Sequence, residues 1–155
     1  MAKKTKTEKV AKIKKIIEEL IDFLGVETEI EVSLKNEHYL VQLETDESGI
    51  LIGYHGETIS ALQRIASMIV YQQEGEWLRI VVNVGDYRQR RQESLEKMAL
   101  STAKKARFSQ EPQILPPMSA AERRIVHLAL AEEPEVETVS EGEGRNRAVV
   151  IRPKS

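Results

Sequence analysis

Apolar residues at Val10, Ile13, Ile16, Ile17, Leu20, Ile21 and Leu24 recur at three- and four-residue intervals, predicting an amphipathic helix over residues 9–24 with Gly25 as its stop. The period then changes to two. Val26, Thr28, Ile30, Val32 and Leu34 alternate with Glu27, Glu29, Glu31 and Ser33, and Lys35-Asn36-Glu37 reads as a turn into a second alternating run over 38–44. Together they predict a hairpin with one acidic, solvated face. The segment from Thr45 to Gly49 breaks that pattern, and a short helix carrying Leu51 and Ile52 follows. Ile59, Leu62, Ile65, Ala66, Ile69 and Val70 then restore helical spacing to about residue 72, and residues 78–84 alternate as a third strand. The order is α-β-β-α-α-β.

Beyond it, Asp86 is placed to cap a long basic helix through residue 107, and residues 110–117, with three of the five prolines, break that helix. Ser119 and Glu122 have the spacing of a capping box for a short helix to about residue 131. Two strands, 136–140 and 148–151, flank the loop Glu141-Gly142-Glu143-Gly144-Arg145-Asn146. The pattern predicts an α+β protein of two small domains joined by a long helix. Residues 1–8 form a Lys-rich leader, 9–85 the first domain, and 86–155 the connecting helix with the second.

With 41% hydrophobic residues in 155, the chain has enough apolar surface for folded cores. The absence of Cys removes disulfides, thiolate metal sites and cysteine nucleophiles, and His38, His55 and His127 are too scattered for a metal-ligand pattern. No cofactor is expected. No apolar stretch follows the Lys-rich start as a signal sequence would, and none approaches the ~20 residues of a membrane span, so a cytoplasmic location is the expectation.

The formal net charge of -2 hides a segregation along the chain. Residues 1–15 hold seven Lys and one Glu, 16–47 hold ten acids and one Lys, and 79–107 hold eight bases and three acids. Such blocks can make one face attractive to phosphate on a molecule that is near neutral in sum.

In "GILIGYHGETISALQRI", Gly53 and Gly56 stand at a tight link between two helices. Glycines there let another backbone approach, and amide groups at the start of the next helix favour an anion. The stretch "LIGYHGETI" resembles the signature of a KH domain, and the leading helix and strands match its type II arrangement. The resemblance implies a clamp on about four nucleotides of a single strand at Gly53 and Gly56, with Ile52 and Ile59 near the groove that meets the bases. Arg64 on the following helix is a further candidate. Tyr54 and His55 stand where a basic residue is more usual, so the expectation is either a weaker phosphate attraction or its partial replacement by stacking on Tyr54.

In "SAAERRIVHLALA", Arg123 and His127 are four apart and share a helix face, with Arg124 adjoining and Ile125, Val126, Leu128 and Leu130 supplying apolar bulk elsewhere. This helix, the basic helix before it and the two final strands resemble the R-three-H domain, a small binder of single-stranded nucleic acid. A type II KH domain followed by an R-three-H domain is similar to the bacterial Jag, or SpoIIIJ-associated, family. The similarity is carried by "GYHGETISALQ", "GDYRQRR", "PPMSAAERRIVHLAL" and "VETVSEGEGRNRAVVI", over roughly residues 8–152. Many members carry a further N-terminal domain, whereas this sequence begins with its Lys-rich leader.

The resemblance implies single-stranded RNA as ligand, with single-stranded DNA as a second candidate and a small separate KH protein as partner. It also implies a post-transcriptional role linked to cell elongation or envelope synthesis. Arg88, Arg90, Arg91, Lys104, Lys105 and Arg107 on the long helix are the candidates for a basic track. The alternative is a protein-interaction scaffold with incidental RNA contact. No Walker A loop, nucleophile elbow or zinc pattern is present, so an enzyme is not expected. Trp77, at a strand start, reads as a packing residue.

Overall fold

A computed structural model describes residues 5–155; residues 1–4 of the expected leader lie outside them. The first helix, α1, spans Lys6–Leu24 and opens three residues before the apolar period predicts. The cause is a capping box: Thr5 Oγ1 accepts from the Glu8 amide at 3.3 Å, and the Glu8 carboxylate accepts from the Thr5 amide at 2.6 Å. Thus Lys6 to Glu8, read as leader, form the first helical turn. Gly25 ends the helix in the left-handed region at φ 67°.

The strands β1 (Glu29–Lys35) and β2 (His38–Glu44) form an antiparallel hairpin, and Asn36 and Glu37 at its turn both have positive φ. The short α2 (Ser48–Ile52) and the longer α3 (Glu57–Glu74) lead to β3 (Ile80–Val84), which pairs in parallel with β2. The order β1-β2-β3 puts Ile30, Val32 and Leu34 beside Leu43, Val41 and Tyr39, and these beside Val84, Val82 and Ile80. Ile13, Ile16, Ile17 and Ile21 of α1 and Ile59, Leu62, Ala66 and Val70 of α3 belong to the same buried core. On the other face of the sheet Glu29, Glu31 and Glu44 remain exposed. The sequence pattern assigned Ile65 to the core stripe, but it is 45% exposed; the buried positions follow the spacing 59, 62, 66, 70.

The next helix, α4, spans Tyr87–Ser109, and the two compact units of the chain divide within it, between Arg88 and Gln89. Leu95, Ala99, Ala103 and Ala106 make its buried stripe. After it the Pro-rich break contains a strand that apolar alternation did not reveal, β4 (Gln113–Ile114), two residues long. It pairs with β6 (Ala148–Pro153), which pairs on its other side with β5 (Val136–Glu141), in the order β4-β6-β5. Ser119 and Glu122 form the predicted capping box on α5 (Ala120–Ala129). Ala99, Ala103 and Ala106 pack with Leu115, Val126, Leu130, Val136, Val149 and Ile151 as the second core. The architecture is α+β. Among the described residues no helix is long and apolar enough to cross a membrane.

Candidate nucleic-acid interface

The Gly-x-x-Gly loop is built by its own packing. The amide of Gly53 closes α2 on Gly49 O at 3.0 Å, and its φ of 69° with ψ of -172° belongs to a region essentially restricted to glycine. A β-carbon there would lie 2.2 Å from Thr58 Oγ1. At Gly56, with φ 83°, a β-carbon would lie 3.0 Å from both Cε1 and Oη of Tyr87. The two glycines are therefore required by internal contacts, whatever a ligand adds.

Between them Tyr54 to Gly56 make one turn of 3-10 helix, with His55 at φ 51°. The Tyr54 and His55 rings stack with centroids 4.0 Å apart, and Tyr54 is 73% exposed. The amides of Tyr54 and His55 open the turn and so have no helical acceptor. The loop leads directly into the 18-residue α3, whose positive dipole end lies at Glu57, an acid that offsets part of it.

The candidate groove residues separate. Ile52 is half-buried against the core and Arg64 is exposed on α3. Ile59 is only 5% exposed and belongs to the buried core of the first unit, so it supports the loop from beneath. Ile50, Ile65 and Met68 are exposed apolar residues that the sequence reading did not single out as surface. Helical periodicity cannot mark them, since Ile65 fits the apolar pattern of α3. Trp77 is 63% exposed and stacks on Tyr71 at 4.4 Å between centroids, so its packing is made at the surface.

In the second unit Arg123 donates from Nη1 to Met118 O at 2.9 Å and is half-buried, while Arg124 is exposed. Leu128, four residues after Arg124, is exposed, whereas Val126 and Leu130 are buried. His127 uses both ring nitrogens internally: Nδ1 lies 2.7 Å from Thr138 Oγ1 and Nε2 2.9 Å from Ser140 Oγ. Burial, and then the charge of Arg123, hold its pKa below the ordinary imidazole value. His127 thus bridges α5 to β5 through both ring nitrogens, while Arg123, four residues before it on α5, turns Nη1 to Met118 O.

The predicted basic track on α4 also divides. Arg88 donates Nε to Val82 O and Nη2 to Gln63 Oε1, both at 3.1 Å, and burial lowers its pKa; it fastens α4 to β3 and α3. Arg91 Nε meets Glu122 Oε1 at 2.8 Å, and Arg107 Nε meets Glu135 Oε2 at 2.9 Å. These three are structural contacts, which separation in sequence concealed. Arg90, Lys104 and Lys105 are exposed. Lys97, absent from the predicted track, is exposed as well, and its seven-residue spacing from Arg90 and Lys104 puts the three on one helix face. No cluster of His, Asp or Glu among the described residues could hold a metal ion.

Comparison with known proteins places both units. A family model for the KhpA/KhpB KH domain matches residues 10–84, and one for the R-three-H domain matches residues 93–153. The chain is 37% identical over 128 residues, 83% of its length and 40% of the relative's, to a Lactiplantibacillus plantarum protein named RNA-binding protein KhpB. A Clostridium symbiosum protein of the same name is 35% identical over 84% of this chain and 59% of its own length. The Bacillus subtilis protein so named is 24% identical over 96% of this chain and 73% of its own. The chain thus spans roughly half the length of the first two relatives.

Proposed function

Because the chain belongs to the Jag family, which joins a KhpA/KhpB-type KH domain to an R-three-H domain, we propose that it binds single-stranded RNA without catalysing a reaction. The observation that carries the reading is the exposed Tyr54-His55 turn, two open amides and a stacked ring pair held between two packing-locked glycines at the head of α3. Backbone amides take phosphate oxygens without sequence preference, and an exposed aromatic offers a face on which a base can stack. In the second unit Arg123 and Arg124 bind phosphate, with His127 holding the seam beneath them. Two sites on one chain gain affinity because the second contact is intramolecular.

The relatives' name supports RNA as the nucleic acid, with single-stranded DNA as the control ligand. The family resemblance supports a post-transcriptional role in elongation or envelope synthesis and a small KH protein as partner. The exposed Ile65 and Met68 of α3 and the Tyr71-Trp77 stack favour such a protein contact as a second activity.

The test is fluorescence-anisotropy titration of RNA and matched DNA oligomers at two salt concentrations, comparing the parent with Tyr54→Asp/His55→Asp and Arg123→Gln/Arg124→Ala. Salt-sensitive binding weakened by each pair in a folded protein supports the reading. Binding that neither pair alters, or no binding by the parent, overturns it.

A further inference from the structure

The loop between β5 and β6 closes on itself and on Met118, just ahead of α5. Asn146 donates its amide to Glu143 O at 3.0 Å, Arg147 its amide to Gly144 O at 3.3 Å, and Arg147 Nη1 spans the neck to Gly142 O at 2.8 Å. At Gly142, φ is 89° and a β-carbon would lie 2.9 Å from Asn146 O, so the neck has room only for glycine. The Arg147 carbonyl accepts the Met118 amide at 3.2 Å, and the Met118 carbonyl accepts Arg123 Nη1 at 2.9 Å. Through Met118 the loop and the arginine at the start of α5 form one connected surface.

The arginines of that surface form no ion pair among the described residues, although Glu143 is exposed in the same loop. Elsewhere in the unit Arg91 pairs with Glu122, Arg107 with Glu135 and Glu133, and Arg152 with Glu141. Arg123 and Arg147 instead bond to carbonyls, which orient a guanidinium without neutralising it, and each keeps four of its five donors. Arg145 is exposed in the turn, and among the described residues no acid lies within ion-pair distance of any of the three.

We propose that Arg145 and Arg147 join Arg123 in a binding site for successive phosphates of an RNA strand, with the β5–β6 loop as its wall. The site rests on the RNA-binding reading and deepens it, since neither arginine belongs to the Arg-x-x-x-His motif. The guanidiniums of Arg123 and Arg147, oriented in advance by carbonyls, lose little freedom when a phosphate arrives, and phosphate is the anion their planar donor fork fits.

The test is anisotropy titration of a single-stranded RNA oligomer over a salt series with the full chain, Arg145→Ala and Arg147→Gln. The glutamine keeps a donor for Gly142 O and drops the charge; Arg145→Ala removes no internal bond, so it reads the site even if the other variant loosens the loop. Each variant is expected to lower the slope of log affinity against log salt by about 0.7 and to weaken binding roughly fivefold at 0.1 M salt. A parent that binds with a slope neither variant changes overturns this site and leaves the RNA reading standing. A parent that does not bind overturns both.

Discussion

The ring of Tyr87 lies against the α-carbon of Gly56, so close that a β-carbon on Gly56 would stand 3.0 Å from its Cε1 and Oη. Tyr87 is the first residue of α4, and its neighbour Arg88 is bonded to Val82 of β3 and Gln63 of α3. With Thr58 Oγ1 lodged beside Gly53, the loop is gripped at both glycines by side chains of its own unit. Its shape is set before any ligand arrives, which lowers the ordering cost of binding.

Replacing Gly56 by Ala adds both a left-handed backbone penalty and the clash with Tyr87, and is expected to cost about 1–3 kcal/mol of stability. Urea unfolding followed by Trp77 fluorescence measures it, since the single Trp lies in the first unit. In a double-mutant cycle with Tyr87→Ala the two losses should be less than additive, because the second change removes the atoms the methyl meets. Full additivity would show that the ring does not constrain the loop.

The second unit should weaken in acid through His127. In the unfolded chain the imidazole titrates at its ordinary 6.5; in the folded unit burial, then Arg123, push the value lower. The folded state therefore binds fewer protons than the unfolded state. Its contribution is fully present above the unfolded value and is lost as pH falls through the depressed native one. Hydrogen exchange of the β5 and β6 amides between about pH 5 and pH 8, corrected for intrinsic rates, reads this locally. Protection should decline toward acid in the parent and less so in His127→Gln. Equal pH profiles would remove the linkage.

How much of this was legible in the sequence depends on distance along the chain. Period and capping located α1, the hairpin, α3 and α5, because each signal lies within four residues of its partner: Ser119 with Glu122, or Ile59 with Leu62. The strand β4 escaped because two residues cannot show alternation and its partners Ile151 and Val150 lie more than thirty positions away. Among the site residues, the motif glycines were visible as a motif, but Tyr87 as the reason for Gly56 was not. Arg88, Arg91 and Arg107 read as a cationic run until their partners, Val82 and Gln63, Glu122, and Glu135, were brought to them by folding.

That division within α4 makes a contrast in charge deletion. Lys97 and Lys104 are exposed on one helix face, whereas Arg107 is held by Glu135. Lys97→Ala/Lys104→Ala should reduce the salt slope of RNA binding by about 0.7 for each lysine that meets a phosphate. Arg107→Ala should leave that slope unchanged within about 0.2 of a unit while altering stability by at most about 1 kcal/mol, as an exposed pair does. A slope that falls with Arg107 and not with the lysines would reverse the assignment.

The last prediction concerns one open edge of the first sheet. β3 is one of the two edge strands in the order β1-β2-β3, and at its centre both polar groups of Val82 are taken by side chains. The Val82 amide donates to Gln63 Oε1 at 3.0 Å, and its carbonyl accepts from Arg88 Nε at 3.1 Å. Arg88 Nη2 also donates to the same Gln63 oxygen, closing the three groups into one clamp. An edge strand with unclaimed amides and carbonyls is a template for another strand, and here one side-chain pair claims both. Gln63→Leu/Arg88→Leu keeps the packing volume near that of the originals and strips the clamp, leaving Val82 to water or to a second chain. The double variant should lose about 1–3 kcal/mol of stability and, if the edge is what the clamp guards, sediment increasingly as a dimer with rising concentration. Its RNA salt slope per monomer should match the parent's at concentrations where it is monomeric, because Arg88 is partly desolvated against its own unit, with Nε and Nη2 turned inward to Val82 and Gln63. A variant that stays monomeric at every concentration, with unchanged stability, would show that the clamp is incidental to the sheet; one that loses slope as well would return Arg88 to the basic track.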